Sequence, residues 1–114
     1  MPWIFHLTTP AAWDEAALTG EYRPASLASE GFIHASTEQQ LVATANRHFA
    51  HLSSVLLLKI DCDHLRPRIV WEKSPHSETP FPHLYGPLNV DAVVATSPWK
   101  RDDQDRFSDP AIPV

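Results

Sequence analysis

The sequence predicts an α+β fold of about five strands and two helices, and three observations lead to this class. Apolar and β-branched runs of strand length recur along the chain, helix-capping residues open only two segments, and eleven prolines mark the breaks between elements. The length of 114 residues indicates one domain. We assign this domain to residues 1–98 and expect residues 99–114, which are polar after Trp99, to form a solvated C-terminal tail.

Five segments have the β-branched, aromatic or continuously apolar composition of strands, and they are residues 3–7, 31–35, 55–60, 69–72 and 91–95. The third is apolar at nearly every position, which predicts a central strand covered on both faces. Residues 21–30 and 74–90 contain prolines and are predicted to be loops. A loop as long as 74–90 inside a compact domain usually has a functional role.

Capping residues predict the two helices. Thr9 followed by Pro10 is typical of a helix start, and Gly20 is typical of its end. Ser36, with Gln39 three residues later, predicts a capping box at the start of the second helix. The predicted inner face of this second helix consists of Leu41, Val42, Ala45 and Phe49.

Composition excludes several classes of function. The net charge of −5 does not favour binding to nucleic acid, because a polyanion is repelled by an acidic surface. Cys62 is the single cysteine, so an internal disulfide or a cysteine-rich zinc site is ruled out. The sequence has neither a run long enough for a membrane helix nor a basic leader segment, so we expect a cytoplasmic protein without a membrane partner.

Two predicted strands carry the same polar unit, a histidine followed two residues later by a hydroxyl. Because side chains alternate along a strand, His6 shares a face with Thr8, and His34 shares a face with Ser36. If the strands pair, these groups converge at one rim of a sheet, where they could bind a ribose or phosphate or transfer a proton. The alternative is that each histidine is half-buried and hydrogen-bonded only to backbone.

The predicted loop around Tyr85 is a second candidate. Its prolines stiffen it, Tyr85 offers an aromatic face and a hydroxyl, and Gly86 permits close approach of a ligand to the backbone. His83 lies in the same segment. In the alternative interpretation, the apolar residues of this loop only close one end of the core.

Three further residues are candidates on weaker grounds. Arg23 and Ser26 could contact a phosphate, although a loop arginine is more often simply solvated. Glu72 ends a predicted strand and could act as an acid or base, or be an ordinary surface carboxylate.

A third class of function, a metal site built from His6, His34 and His83, is chemically conceivable, but the spacing matches no standard ligand motif. Glycine-rich phosphate loops and hydrolase elbow motifs are absent from the sequence.

The strand alternation also predicts how the main candidates are arranged. A face that carries both histidines and hydroxyls is poorly suited to a dry core, since a buried polar group without a partner costs about 1–3 kcal/mol. We therefore expect His6, His34 and Tyr85 to line one concave pocket that is partly open to solvent. The long loop 74–90 would close over this pocket.

Four blocks of the sequence resemble the small bacterial proteins of domain of unknown function 952. They are residues 4–7 (IFHL), 20–27 (GEYRPASL), 30–36 (EGFIHAS) and 81–88 (FPHLYGPL), and the resemblance extends from about residue 3 to residue 98. The fold of that family is similar to the fold of the ADP-ribosyltransferases, which have a split, strongly bent sheet and a nucleotide cleft. The resemblance therefore implies a cleft for a nucleotide or phosphorylated metabolite.

The same resemblance suggests roles for the histidines. ADP-ribosyltransferases and the related RNA 2′-phosphotransferases have a histidine on the first core strand that contacts the nucleotide ribose, and His6 matches this position. The segment ending at His34 is similar to a second histidine strand of the phosphotransferases. The resemblance implies a nucleotide cleft more than a transferase reaction, for which NAD would be the cofactor. The transferase glutamate has no dependable counterpart, and Glu72 is the only strand carboxylate within reach. The phosphate-binding arginines are not matched, so the alternative is a non-catalytic binding module on a degenerate transferase fold.

Overall fold

The computed structural model describes residues 3–75, 77–110 and 112–113. This part of the chain contains eight strands: β1 (Trp3–Thr8), β2 (Glu21–Tyr22), β3 (Ile33–His34), β4 (Ser54–Asp61), β5 (Arg68–Glu72), β6 (Phe81–Tyr85), β7 (Leu88–Asn89) and β8 (Val93–Lys100). It also contains three α-helices, which are α1 (Pro10–Thr19), α2 (Ala25–Glu30) and α3 (Leu41–His48). The mixed α+β class is therefore confirmed. No helix in the described ranges is long and apolar enough to cross a membrane.

Two three-stranded antiparallel sheets form the framework. The first sheet has the strand order β1-β4-β8, the second sheet has the order β3-β6-β5, and β2 pairs separately with β7. The first and second sheets are joined at one point, where Phe5 and Ser36 exchange two backbone hydrogen bonds of 2.8 Å. This bridge brings the segment just after β3 next to β1.

The first sheet is covered on both faces, as the apolar sequence of its central strand β4 predicts. Ile4 and Leu58 pack on one face, in a core cluster with side chains of the second sheet. Phe5 and Leu57 pack on the opposite face, in a second cluster against α3. Because successive strand residues point to opposite faces, each strand supplies both clusters.

The first predicted helix is confirmed at both ends. The backbone N–H of Ala12 donates to the Thr9 hydroxyl at 3.2 Å, and Pro10 occupies the first turn. Gly20 ends the helix with a φ of 85°, a left-handed conformation that glycine adopts without steric cost. The short second and fourth predicted strands correspond to β3 and β5.

Two predictions about the segment between α1 and α3 are wrong. Residues 21–30 are not a loop, because they form β2 and the short helix α2. The capping box uses Thr37 and Gln40 rather than Ser36 and Gln39. Ser36 is unavailable as a cap, since both of its backbone polar groups bond to Phe5 in the bridge between the sheets.

The prediction of a loop over residues 74–90 is also wrong for the second half of this segment, which contains β6 and β7. Its prolines suggested a loop, but Pro82 lies inside β6, the central strand of the second sheet. Proline lacks an N–H and is normally confined to sheet edges. Here its carbonyl still accepts a hydrogen bond from the Ala35 N–H at 3.1 Å. The strand predicted at 91–95 begins at Val93, after a 3₁₀ turn over residues 90–92.

The C-terminal segment returns to the core in the structure. Trp99 is buried near the end of β8, and Phe107 is only 1% exposed. The Asn46 side chain of α3 accepts from the Phe107 N–H at 2.9 Å and donates to its carbonyl at 2.8 Å. The Trp99 indole N–H donates to the Ser108 carbonyl at 2.9 Å. This part of the segment predicted to be a solvated tail therefore covers one face of the first sheet.

The burial of Phe107 generates a stability prediction. Phe107→Ala should lower the free energy of unfolding by about 3–5 kcal/mol, because it leaves a cavity in the second cluster. Urea unfolding monitored by tryptophan fluorescence measures the change. Leu18→Ala, at a position on α1 that is 87% exposed, is the control and should change stability by no more than about 0.5 kcal/mol. Equal effects of the two substitutions would show that the C-terminal segment does not support the core.

Candidate functional site

The side of the second sheet that faces away from the core carries a group of polar and aromatic residues. We call this group the outer face, and it consists of Phe32, His34, Arg68, Glu72, His83 and Tyr85. Strand alternation separates it from the core, since Ile33 and Leu84 point inward and are fully buried. The antiparallel register places His34 opposite His83 and Arg68 opposite Tyr85.

The Glu72 carboxylate is the shared acceptor of the outer face. Its Oε1 atom accepts from the Tyr85 hydroxyl at 2.6 Å and from the His83 Nδ1–H at 2.8 Å. These two hydrogen bonds hold the pKa of Glu72 below its ordinary value, and the bond from Tyr85 has the larger effect. The same carboxylate raises the pKa of the Tyr85 hydroxyl. Glu72 therefore remains ionised and fixes which nitrogen of the His83 imidazole carries its proton.

Aromatic rings surround this carboxylate. Phe32 stacks on His83 with ring centroids 4.1 Å apart and an angle of 18° between the ring planes. The Phe32 ring also contacts Tyr85 at 5.4 Å and His34 at 4.7 Å between centroids. The Arg68 guanidinium lies 6.0 Å from the centre of the Tyr85 ring. The outer face thus combines a stacking surface with charged groups of both signs.

His34 links this surface to the interior of the protein. Its side chain is 52% exposed, and its Nε2 atom lies 3.0 Å from a carboxylate oxygen of Glu30 on α2. Its backbone carbonyl accepts a hydrogen bond from the Nδ1–H of the buried His6 at 2.5 Å. His34 therefore contacts solvent through its side chain and the buried His6 through its backbone carbonyl.

His6, Tyr22 and Thr8 form a buried polar network between the sheets. The Tyr22 hydroxyl lies 2.8 Å from His6 Nε2 and 2.9 Å from the Thr8 hydroxyl oxygen. Burial lowers the pKa of His6 to about 4, although the hydrogen bond to the His34 carbonyl opposes this change. Burial likewise raises the pKa of Tyr22. At neutral pH the His6 imidazole is therefore uncharged.

The remaining predicted site residues lie elsewhere. Arg23 is exposed and forms an ion pair with Glu21 at 2.9 Å. The Ser26 hydroxyl donates to the Phe32 carbonyl at 2.9 Å, and the buried Ser36 hydroxyl is 3.4 Å from the Thr44 hydroxyl. Gly86 adjoins Pro67 with a φ of 151°, so a side chain at this position would be strained.

The structure brings four of the predicted residues together, namely His34, Glu72, His83 and Tyr85. It separates them from His6, which is enclosed beneath the sheet junction, so the single open pocket expected for His6, His34 and Tyr85 is not present. The physical reason is that the His6 ring points inward, where the Tyr22 hydroxyl and the His34 carbonyl satisfy its two nitrogens. Within the described residues, no group of three or more histidine, cysteine or acidic side chains is arranged to hold a metal ion.

Sequence reasoning missed Glu30, Phe32 and Arg68 as members or neighbours of the outer face, and Tyr22 as the partner of His6. For Phe32 a signal existed, because strand alternation places it on the same face as His34. Arg68 and Glu72 also share a face by alternation along β5. Tyr22 carried no local signal, because it lies in a segment that the sequence predicted to be a loop.

The neutral His6 predicts a specific dependence of stability on pH. Its folded-state pKa of about 4 lies below its ordinary value of 6.5, so protonation favours the unfolded chain. This contribution is fully present above pH 6.5, is lost as the pH falls through 4, and amounts to about 3 kcal/mol. Urea unfolding between pH 7 and pH 4 should show this loss in the native protein and not in His6→Gln. Parallel pH curves for the two proteins would contradict the assignment.

The shared carboxylate predicts a change in the titration of Glu72. Tyr85→Phe removes the hydrogen bond that lowers the Glu72 pKa most, so this pKa should rise towards its ordinary value. Carbon-13 NMR of the labelled carboxyl group measures it directly. Tyr22→Phe removes the other tyrosine hydroxyl, which does not contact Glu72, and should leave the Glu72 titration unchanged. An unaltered Glu72 pKa in Tyr85→Phe would show that the hydroxyl does not bind this carboxylate in solution.

Three solved structures similar to this chain are of the protein CC0527 from Caulobacter crescentus. Its crystal structure is 30% identical, covers 93% of each chain and has a TM-score of 0.83. The crystal structure of a double methionine variant of CC0527 is 29% identical, again over 93% of each chain, with a TM-score of 0.82. Its solution NMR structure is 30% identical over 94% of this chain and 92% of that chain, with a TM-score of 0.79.

None of the curated proteins matches the chain. The sequence profile of one family, described as a protein of unknown function (DUF952), matches residues 7–96. Since this match spans most of the 114 residues, the chain belongs to the DUF952 family.

Proposed function

We propose that the outer face binds a nucleotide or a similar phosphorylated small molecule. The observation that carries this proposal is the double hydrogen bond on Glu72, which holds His83 and Tyr85 in fixed orientations beside an aromatic stacking surface. Fixed polar groups next to an aromatic surface are typical of small-molecule sites. Packing of the core does not require such a cluster, because the cluster lies on the side of the sheet that faces away from the core.

The aromatic part of the outer face suits a nucleobase. Phe32 is partly exposed and Tyr85 is 37% exposed, and their rings lie 5.4 Å apart. Stacking of a base on an aromatic side chain contributes about 1–3 kcal/mol. The stack of Phe32 on His83 holds the ring in place before a ligand arrives, which reduces the ordering cost of binding.

The charged groups suit a ribose and a phosphate. Arg68 is exposed, and within the described residues it has no carboxylate within 4.0 Å, so its guanidinium is available to an anion. The exposed His34 imidazole lies on the same face. The carboxylate of Glu30, beside it, can accept hydrogen bonds from ribose hydroxyls.

The buried network supports this site indirectly. His6 holds the carbonyl of His34, so we assign His6 and Thr8 the role of positioning β3 rather than contacting the ligand. The resemblance to the ADP-ribosyltransferase fold, with a histidine on the first strand, supports a nucleotide as the ligand and NAD as a candidate. Ligand contacts by Arg23, Ser26, Ser36 and Gly86 stay predictions.

A transferase reaction of the ADP-ribosyltransferase or phosphotransferase type is the catalytic form of this proposal, and a non-catalytic binding module is its alternative. The unmatched phosphate-binding arginines favour the alternative. The two are distinguished by incubating the protein with NAD and measuring release of nicotinamide. Binding without any release would support the module.

Ligand titration tests the binding site itself. Adding AMP, ADP-ribose or NAD at up to millimolar concentration should shift the ring signals of His34 and His83 in NMR spectra. Phe32→Leu should weaken the binding of both AMP and adenosine, because the base of each ligand loses its stacking surface. Arg68→Gln should lower the affinity for AMP by about tenfold, since the charge-assisted hydrogen bond to the phosphate is lost. The affinity for adenosine, which has no phosphate, should be unchanged.

Arg47→Gln, at an exposed arginine in the last turn of α3, is the matched control and should bind AMP normally. If none of these ligands shifts the His34 or His83 signals at millimolar concentration, the outer face is not a nucleotide site.

A further inference from the structure

Two histidines occupy opposite positions on neighbouring strands of the outer face. His34 of β3 and His83 of β6 are direct partners in the antiparallel register, and their ring centroids are 5.2 Å apart. Histidine is the side chain that most readily gains or loses a proton near neutral pH. Two such groups side by side can therefore remove a proton at one point of a ligand and deliver a proton at another.

Each imidazole is held by a different carboxylate. His83 uses its Nδ1 atom to bond to Glu72, and His34 uses its Nε2 atom to bond to Glu30. His83 Nε2 and His34 Nδ1 are therefore the ring nitrogens outside these carboxylate bonds. A histidine whose other nitrogen is bound to a carboxylate has a defined tautomer and orientation, which is a common requirement for acid–base catalysis.

The two rings differ in access to water. The side chain of His34 is 52% exposed, and that of His83 is 9% exposed and covered by the Phe32 ring. His34 can therefore exchange protons with solvent, whereas His83, with its Nδ1–H given to Glu72, offers a lone pair at Nε2. Access to solvent suits His34 to the acid role, and the lone pair at Nε2 suits His83 to the base role.

We propose that His34 and His83 form a general acid–base pair that hydrolyses a 2′,3′-cyclic nucleotide. This proposal rests on the proposed function, because the substrate is a nucleotide held on the same outer face. Opening a cyclic phosphodiester requires one proton to be removed from water and one to be delivered to the leaving ribose oxygen, which two imidazoles can supply between them. Arg68 lies on the same face, opposite Tyr85 in the register and 6.0 Å from its ring centroid, and supplies the positive charge for the non-bridging phosphate oxygens.

The charge of the protein favours a small substrate over a polymer. The chain carries a net charge of −5, and the two histidines are flanked by the carboxylates of Glu30 and Glu72. A polyanion such as RNA needs many cationic contacts along its length, whereas a cyclic mononucleotide has one negative charge for one arginine.

The reaction conserves atoms and protons. His83 Nε2 takes a proton from water while the water oxygen forms a bond to phosphorus. The bond between phosphorus and the ribose 2′-oxygen breaks, and this oxygen takes the proton of the His34 imidazolium. The product is a nucleoside 3′-phosphate, and proton exchange with solvent restores both rings. No redox partner or second substrate is required.

The rate should depend on pH with a maximum, because one ring must be neutral and the other protonated. The titratable and charged groups that face the pair are Glu30, Glu72, Arg68, Tyr85 and the buried His6. The pKa of Glu72 is lowered and that of Tyr85 is raised, and a pKa of about 4 keeps His6 uncharged at neutral pH, so none of these three groups changes its charge near neutral pH.

The experiment measures hydrolysis of 2′,3′-cyclic AMP by the full chain in the presence of EDTA, with phosphorus-31 NMR to identify the product. The native protein should form 3′-AMP with a bell-shaped pH profile. His34→Ala and His83→Ala should each lower kcat by about 100-fold or more. His34 is half-exposed, so its variant should fold even if the variant of the more buried His83 does not; thermal unfolding checks both.

His64→Ala is the matched control, because His64 is another exposed histidine bound to a carboxylate, with Nδ1 2.7 Å from Asp61, but it lies outside the outer face. It should retain full activity. Activity that EDTA abolishes, or that persists within a few-fold in His34→Ala, would overturn the acid–base pair. If 3′-AMP binds and shifts the His34 and His83 signals but no hydrolysis occurs, the pair is overturned while the proposed binding function stands. If neither binding nor hydrolysis occurs, both proposals fail.

Discussion

The arrangement of this protein depends on the hydrogen bond from the buried His6 imidazole to the carbonyl of His34. β3 is only two residues long, which is too short to fix its own position in a sheet. The His6 bond and the adjacent bridge between Phe5 and Ser36 attach this segment to β1. Loss of the His6 partner would leave a partly buried carbonyl unsatisfied, at a cost of about 1–3 kcal/mol.

This attachment explains how one short segment connects stability and chemistry. The backbone of His34 is held from the core side by His6, while its side chain lies on the exposed outer face opposite His83. The neutral state of His6 is maintained by burial, so its bond to the carbonyl stays the same across the neutral pH range.

The outer face also shows how an acidic protein can offer a site to an anionic ligand. Its carboxylates are occupied by internal hydrogen bonds, Glu72 by His83 and Tyr85, and Glu30 by His34. Each of these bonds offsets part of the negative charge and orients the donor. Arg68 keeps its guanidinium outside these pairs, so the local balance of charge differs from the net charge of the chain.

Local patterns were sufficient for much of the fold. β1, α1, β4 and β5 follow from strand composition and capping residues, because these features depend on neighbours a few positions apart. The segments that sequence reasoning misjudged are stabilised across large separations. Tyr22 bonds to a histidine sixteen positions earlier, β6 pairs with β3 about fifty positions away, and Phe107 is held by Asn46.

The sequence by itself also determined which residue types form the candidate site and which of them share a strand face. It placed His6 with Thr8, and it identified His34, Glu72, His83 and Tyr85 as candidates. Only the tertiary structure decided that His6 points into the core while the other four meet outside it. Alternation along a strand specifies which side chains point the same way, but the packing of one sheet against another decides which of the two faces is buried.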